Sequence, residues 1–353
     1  MTRLSRENMK WWLPPAAIFF VILLFIYSVF WLPNSFDDPS GKIVTIPRGS
    51  SFKAAIDSLN SAGAIRSGFM FKIAGRLLGY TKSIKVGKYL FHSGVSNTTI
   101  LQDLQEGRSR MILPVSIPEG RRIVGIARRF SADLGIDSAK FVSICRDSEY
   151  VRNRGFEVGT LEGYLMPETY NFYWQTDEKE IVDQLVDGFK QFYADSLRKR
   201  QEELKMTMHE VLTLASIVEG ESGIDEERPM IAGVYWNRLK RRMKLEADPT
   251  IQYVLPDGPR RRLNRDLKFK SPYNTYLNYG LPPGPINNPG KKAILATLYP
   301  EKHQYLFFVA TGVGGHRFSK TFTEHQKAAK AYRRARREVE KQMKLSNGLT
   351  KKG

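Results

Sequence analysis

Residues 11–33 cover 23 positions without one charged side chain, and Ile18, Phe19, Phe20, Val21, Ile22, Leu23, Leu24, Phe25 and Ile26 form their centre. A helix of that length crosses the hydrocarbon of a bilayer. A cleavable export signal would have a shorter apolar core followed by a small-x-small site, whereas this run closes on Phe30, Trp31, Leu32 and Pro33. The expectation is an uncleaved N-terminal transmembrane helix over 11–33, with Trp11, Trp12 and Trp31 at the two interfaces. The preceding tail, 1–10, carries Arg3, Arg6 and Lys10 against Glu7. Such a positive flank stays in the cytoplasm, which sends the chain after Asn34 to the other side.

About 320 residues lie beyond the apolar run, enough for two or three domains. The first 33 residues hold three cations and one anion, so the chain's +19 becomes +17 without them. A surplus of that size favours polyanionic partners. The inferred side of the membrane favours lipid headgroups or an anionic wall polymer over nucleic acid, which would require the chain to face the cytoplasm. Lys327, Lys330, Arg333, Arg334, Arg336, Arg337, Lys341 and Lys344 concentrate charge at helical spacing near the C-terminus, and 336–353 reads as a basic tail. Cys145 is the single cysteine, so no intrachain disulfide forms, and its setting in FVSICRDS suggests a core thiol. None of the five histidines pairs with another at zinc-motif spacing. No metal and no cofactor are expected.

An internal echo organises the first half. IPRGSSFKAAIDSLNSAGAI at 46–65 resembles IPEGRRIVGIARRFSADLGI at 117–136. In each, Ile-Pro-x-Gly ends an extended piece, and apolar residues then recur at three- and four-residue steps: Phe52, Ile56 and Leu59, then Ile123, Ala127 and Phe130. Ser67 and Asp137 follow as N-caps of a second helix in each copy. Residues 85–91 read as a strand and 99–105 as a helix, with a boundary near 109–113. Helical patterns cover 141–147 and 178–203, and the aromatic, turn-rich 161–173 between them reads as a binding loop. QYLFFVA at 304–310 is a strand, followed by a turn at Gly312, Gly314 and Gly315 and a second strand at 316–319. Strands and helices mixed in this order make the fold class α+β, with a mixed α/β core.

The stretch 214–290 carries the chemistry. On a helix over 209–221, Val211, Leu214, Ile217 and Val218 make an apolar stripe, with Glu219 and Glu221 on its opposite margins. Apolar surroundings raise a carboxyl pKa, and a carboxyl that holds its proton near neutrality is a general acid. Periodicity does not choose between the two. A second helix, 227–244, carries Asn237 and Arg238. LEADPTIQYVL follows, where Asp248 and Pro249 end the helical run and Thr250 and Tyr253 supply hydroxyls. SPYNTYLNYGLPPGPINNPG then sets Tyr273, Asn274 and Tyr276 on a frame of prolines and glycines. Long ordered loops without regular structure are usually functional, and tyrosine faces with amide side chains suit sugars.

The ordered set SIVEGESG, YWNRL, LEADPTIQY, YNTY and GLPPGPINNPG, with EGYLMPETY and GGHRFSKT, resembles the YceG-like (MltG) endolytic murein transglycosylases over most of 43–330. The resemblance implies a bitopic protein of the bacterial inner (cytoplasmic) membrane whose extracytoplasmic, periplasmic part cuts nascent peptidoglycan glycan strands. It implies a small LysM-like βααβ module, placed at 41–110, and a YceG-like catalytic domain, placed at 111–335. The family's catalytic glutamate falls on Glu219. One carboxyl suffices there: it protonates the oxygen of the MurNAc to GlcNAc β-1,4 bond, then takes the proton of the MurNAc C6 hydroxyl as that oxygen closes on C1 to leave a 1,6-anhydro end. Tyr253, Tyr273, Asn274 and Tyr276 are candidates to clamp the sugar. Glu221, Glu168 and Asp248 are rival carboxylates, and Asn237, Arg238 and Thr250 complete the candidate substrate-binding set. Peptidoglycan synthases are the expected protein partners. A muramidase that hydrolyses the same bond and a non-catalytic wall-binding scaffold are the alternatives.

Overall fold

The computed structural model describes residues 6–82, 84–256, 260, 263–312 and 314–349. Its contacts divide into two compact units, one of residues 1–115, 132–136 and 170–177, the other of residues 116–131, 137–169 and 178–353.

The first unit opens with α1 (Arg6–Phe30) and continues through β1 (Lys42–Ile46), α2 (Phe52–Ser61), α3 (Gly68–Leu77), β2 (Gly87–Phe91) and α4 (Asn97–Glu106). Of α1, side chains are described from Pro15 onward, so Trp11 and Trp12 lie outside the described set. Among the described residues no helix is long and apolar enough to cross a membrane. Ile18, Phe19, Phe20, Val21 and Leu24 are exposed, while Val29 at the helix end is buried with Ile56, Phe71, Tyr89 and Leu104 in the unit's core. Asn97 and Thr98 donate side-chain hydrogen bonds to the carbonyls of Val29 and Phe30, satisfying acceptors that a helix end leaves open. β1 and β2 pair antiparallel, Lys42 opposite Phe91 and Ile46 opposite Gly87. The order strand, helix, helix, strand is the one read from the sequence, and Ser67 caps α3 by accepting from the Met70 N–H.

The second copy of the echo has the same plan. β3 (Ile112–Ser116) is followed by α5 (Ile123–Leu134), α6 (Ser138–Cys145), α7 (Ser148–Asn153) and β4 (Thr169–Tyr173), and β4 pairs with β3. Asp137 caps α6 by accepting from the N–H groups of Ala139 and Lys140. The reading of 161–173 as one loop is corrected by β4. Leu161, Tyr164, Leu165 and Met166 are buried, and the alternation Thr-Tyr-Asn-Phe-Tyr makes a strand. Cys145 is fully buried, and burial pushes its thiol well above the usual range.

Helices dominate the second unit from residue 178 on: α8 (Glu178–Phe192), α9 (Asp195–Glu203), α10 (Met208–Glu221), α11 (Arg228–Lys240), α12 (Asp248–Val254) and α13 (Lys291–Leu298). They are followed by an antiparallel hairpin, β5 (Phe307–Ala310) and β6 (His316–Ser319), and by α14 (Phe322–Leu349). The core that positions the site joins Leu214, Ile217 and Val218 of α10 to Ile231, Ala232 and Tyr235 of α11 and Ala296 of α13. Asp248 and Pro249 begin a helix rather than end one. Proline at a first helical position gives up an N–H that has no acceptor there.

Candidate active site

α10 is fixed at both ends. Thr207 and Glu210 form a reciprocal capping box at its start, and at its other end Ser222 turns extended. The run from Val211 to Val218 is buried, so the last turn delivers Glu219 and Glu221 to two different environments. Both stand at a helix C-terminus, where the macrodipole disfavours an ionised carboxylate.

The Glu219 side chain is 6% exposed, and each of its oxygens has a donor. Arg228 Nη2 donates to Oε1 at 2.8 Å and the Gly290 N–H to Oε2 at 3.0 Å. Burial raises its pKa above the ordinary value; the Gly290 bond and Arg228 oppose that rise, and the charges of Glu119 and Asp225 add to it. Glu219 therefore keeps its proton more readily than a surface glutamate, yet has a cation and an N–H ready for its ionised form.

Glu221 lies 100° × 2 further round the helix and is closed off differently. Tyr235 donates to its Oε1 at 2.6 Å, and burial pushes its pKa up to about 7. A third such carboxyl, Glu162, is pushed up to about 7, again by burial. It accepts from the Ile123 N–H at 3.0 Å, capping α5, and from Asn288 Nδ2 at 2.9 Å.

The loop that carries Gly290 to Glu219 is held by Asn288, which is fully buried. Its Oδ1 accepts from the N–H groups of Gly163 (2.9 Å) and Leu165 (3.0 Å), and its Nδ2 also donates to the Arg121 carbonyl at 2.9 Å. Its carbonyl accepts from Gly120 N. Gly120 adopts φ +72°, and a Cβ there would stand 3.4 Å from Glu219 Cγ. Gly120 also borders a cleft of about 350 Å³ lined by Arg122, Glu221, Asp248, Gln252, Tyr253 and Asn287. That volume lies in the range of small-ligand sites; Glu221 lines it, whereas Glu219 does not and stands behind Gly120. The Arg122 guanidinium sits 4.3 Å over the Tyr253 ring. A larger cavity, about 680 Å³, is lined by Phe156, Tyr164, His209, Tyr273 and Pro283 and includes none of the three raised carboxyls.

The residues singled out from the sequence separate into groups. Tyr253 lines the cleft beside Glu219, and its ring meets that of Tyr273 at 4.9 Å between centroids. Asp248 lines the same cleft and accepts from Tyr276 at 2.6 Å. Asn274, fully buried, donates to the carbonyls of Leu267 and Phe269 and accepts from the Tyr276 N–H, which shapes the loop. Thr250 is buried and bonded to the Ala247 carbonyl and to Thr275. Asn237 donates to the carbonyls of His303 and Tyr305, and Arg238 to those of Leu306 and Leu245. Glu168 is exposed and paired with Lys291. Sequence reasoning missed Glu119, Glu162 and Arg228. A signal existed for the first: in the echoed Ile-Pro-x-Gly, the variable position is Arg48 in one copy and Glu119 in the other.

A model described as the YceG-like family matches residues 44–331. The endolytic murein transglycosylase of Bacillus subtilis (strain 168) is 31% identical over 303 residues, 82% of this chain and 84% of that protein. The endolytic murein transglycosylase of Streptococcus pneumoniae (strain ATCC BAA-255 / R6) is 29% identical over 309 residues, 78% of this chain and 55% of that longer protein. A crystal structure of a YceG-like protein from Listeria monocytogenes aligns with a TM-score of 0.59 at 33% identity, covering 82% of this chain and 99% of that one.

Proposed function

The chain belongs to the YceG-like family, and we propose that it is a membrane-anchored endolytic murein transglycosylase in which Glu219 is the single acid and base. The observation that carries the assignment is the setting of Glu219: a nearly buried carboxyl with a raised pKa, behind Gly120 of the cleft wall, with Arg228 and the Gly290 N–H on its two oxygens. The relatives' names supply the substrate, peptidoglycan glycan strands.

In the first step protonated Glu219 gives its proton to the glycosidic oxygen, and the bond between that oxygen and C1 of MurNAc breaks. The carboxylate that results is held by Arg228 and Gly290. In the second step it takes the proton of the C6 hydroxyl while O6 bonds to C1, closing the 1,6-anhydro ring and restoring the acid. No water enters, and the attack is intramolecular, so its entropic cost is largely met by holding the ring in a reactive shape. Tyr253, stiffened by Arg122 above and Tyr273 beside it, offers the face for that ring. Asp248 and Glu221 supply acceptors for its hydroxyls within the same cleft.

The uncharged run 11–33 and the exposed apolar side chains of α1 support a single-pass anchor, cytoplasmic at its N-terminus, with the catalytic part outside. The βααβ order of 42–91 supports a LysM-like module at 41–110, followed by the catalytic domain at 111–335 and a basic tail. An anchored site meets glycan where it emerges from the membrane, so synthases are the protein partners proposed.

Mass spectrometry of the products released from isolated glycan strands tests the reaction. Wild-type protein should yield anhydro-MurNAc ends and Glu219→Gln none. Reducing ends, one water heavier, would make the enzyme a hydrolase with a second carboxylate. Equal products from both proteins would remove Glu219 from the chemistry.

A further inference from the structure

Arg228 is 4% exposed in its side chain and faces three carboxylates. Nη2 serves Glu219 at 2.8 Å, and Nη1 is divided between Glu119 Oε2 at 3.2 Å and Asp225 Oδ1 at 3.1 Å. Asp225 has a second cation, Lys292 of α13. Glu119 makes no second ion pair among the described residues and feels Lys292 only through space, and its carboxyl lies against Gly290, where a Cβ would clash with Oε1. Glu119 thus reaches Arg228 from the Ile-Pro-Glu-Gly turn, and Glu219 reaches it from α10.

We propose that Glu119 is a positioning residue for the reaction, dividing the Arg228 guanidinium with Glu219 so that Glu219 begins the cycle protonated. The inference rests on Glu219 being the acid. With all three carboxylates ionised, the cluster of Arg228, Lys292, Glu119, Asp225 and Glu219 would carry an excess negative charge around a buried group. The proton that relieves it is held at least cost by the most buried carboxyl, because an ionised group loses most solvation there. Side-chain exposure is 6% for Glu219, against 39% for Glu119 and 36% for Asp225. Glu119 lies on the open side and shares the arginine through Nη1. Once Glu219 has given up its proton, Arg228 closes on the new carboxylate, and the acid is restored when the C6 hydroxyl proton returns. The raised pKa of Glu219, to which the Glu119 charge contributes, agrees with this geometry.

Glu119→Gln keeps the shape and removes the charge. The pH profile of kcat/KM reports the ionisation of the free enzyme, and its basic limb is the loss of the Glu219 proton. In Glu119→Gln that limb should move down by about half to one pH unit. Because Glu119 is partly exposed, the difference from wild type should shrink in high salt. Glu119→Asp, which restores the charge, should recover part of the shift. Gly290→Ala, which displaces the Glu119 carboxyl, should move the limb in the same direction. An unmoved limb overturns the proposal, as does a loss of a hundredfold or more at every pH, which would put Glu119 on the substrate. Carbon-detected NMR titration of the Glu219 carboxyl in the full chain, assigned with Glu219→Gln, reads the same shift without turnover. If Glu219 proves not to be the acid, that titration still decides whether Glu119 governs its proton: a lower midpoint in Glu119→Gln upholds the coupling, an equal one ends it.

Discussion

Asn288→Ala should be among the most damaging single changes in the second unit, and its cost can be worked from four bonds. The side chain is fully buried. It accepts from Gly163 and Leu165 and donates to Arg121 and Glu162. Alanine leaves two buried backbone N–H groups without a partner, while the Arg121 carbonyl keeps the backbone N–H of residue 288 and the Glu162 carboxyl keeps that of Ile123. An orphaned buried polar group costs about 1–3 kcal/mol, and the carbonyl and carboxyl can accept from a water that enters the space left. The two N–H groups dominate, giving about 4 kcal/mol. For a unit of this size, each kcal/mol lowers Tm by about 2–4 °C, so a fall of about 10 °C is expected.

Scanning calorimetry of the full chain in detergent measures it, and Asn288→Asp supplies the internal control. Aspartate keeps the oxygen that receives Gly163 and Leu165 but sets a second carboxyl against Glu162. The Asp variant should approach wild type at pH 5, where the pair can hold a proton, and fall toward the Ala variant at pH 8. A fall below about 3 °C for Asn288→Ala, or an Asp variant indifferent to pH, would show that the loop is held by something other than this amide.

Glu162→Gln tests burial directly. A carboxyl pushed up to about 7 adds stability that is fully present below its unfolded pKa, near 4.3, and is lost as pH rises through 7. Wild type should therefore lose up to about 3 kcal/mol between pH 4 and pH 8 that the glutamine variant keeps, visible as a Tm gap that grows with pH. At Tyr253, replacement by Phe should leave KM for glycan within about threefold, whereas Ala, which removes the face held by Arg122, should raise it about tenfold or more. Equal KM values in steady-state turnover of the two variants would exclude that ring as the sugar platform.

Local chemistry made the elements legible. Ser67 and Asp137 read as caps because a short polar side chain before an apolar helical pattern has few other uses, and both bond as expected. The echo predicted two copies of a strand followed by two helices, and both exist. Asp248-Pro249 was misread because proline breaks a helix it interrupts but starts one it precedes, and the sequence alone does not say which side the helix lies on. β4 was hidden by the buried turn before it, whose Gly163 packs against Pro285 from a segment more than a hundred residues away. The site was least legible where it is assembled from a distance. Arg228 and Glu119 stand 109 positions apart, and each charge by itself resembles many surface charges in a chain with 55 lysines and arginines.

The tie between Glu219 and Glu221 shows what a general acid needs beyond a raised pKa. Glu162, Glu219 and Glu221 are all raised mainly by burial. A carboxyl that only resists ionisation can give a proton poorly, because the charge it would leave has no support. Glu221 has one neutral donor, Tyr235, and Glu162 has the Ile123 N–H and an amide. Glu219 alone of the three has a guanidinium on one oxygen and an N–H on the other, with that guanidinium divided among rival carboxylates until the proton leaves. Burial thus favours its acid form while the guanidinium and the N–H support its carboxylate, which is the condition for one group to serve as acid in the first step and base in the second.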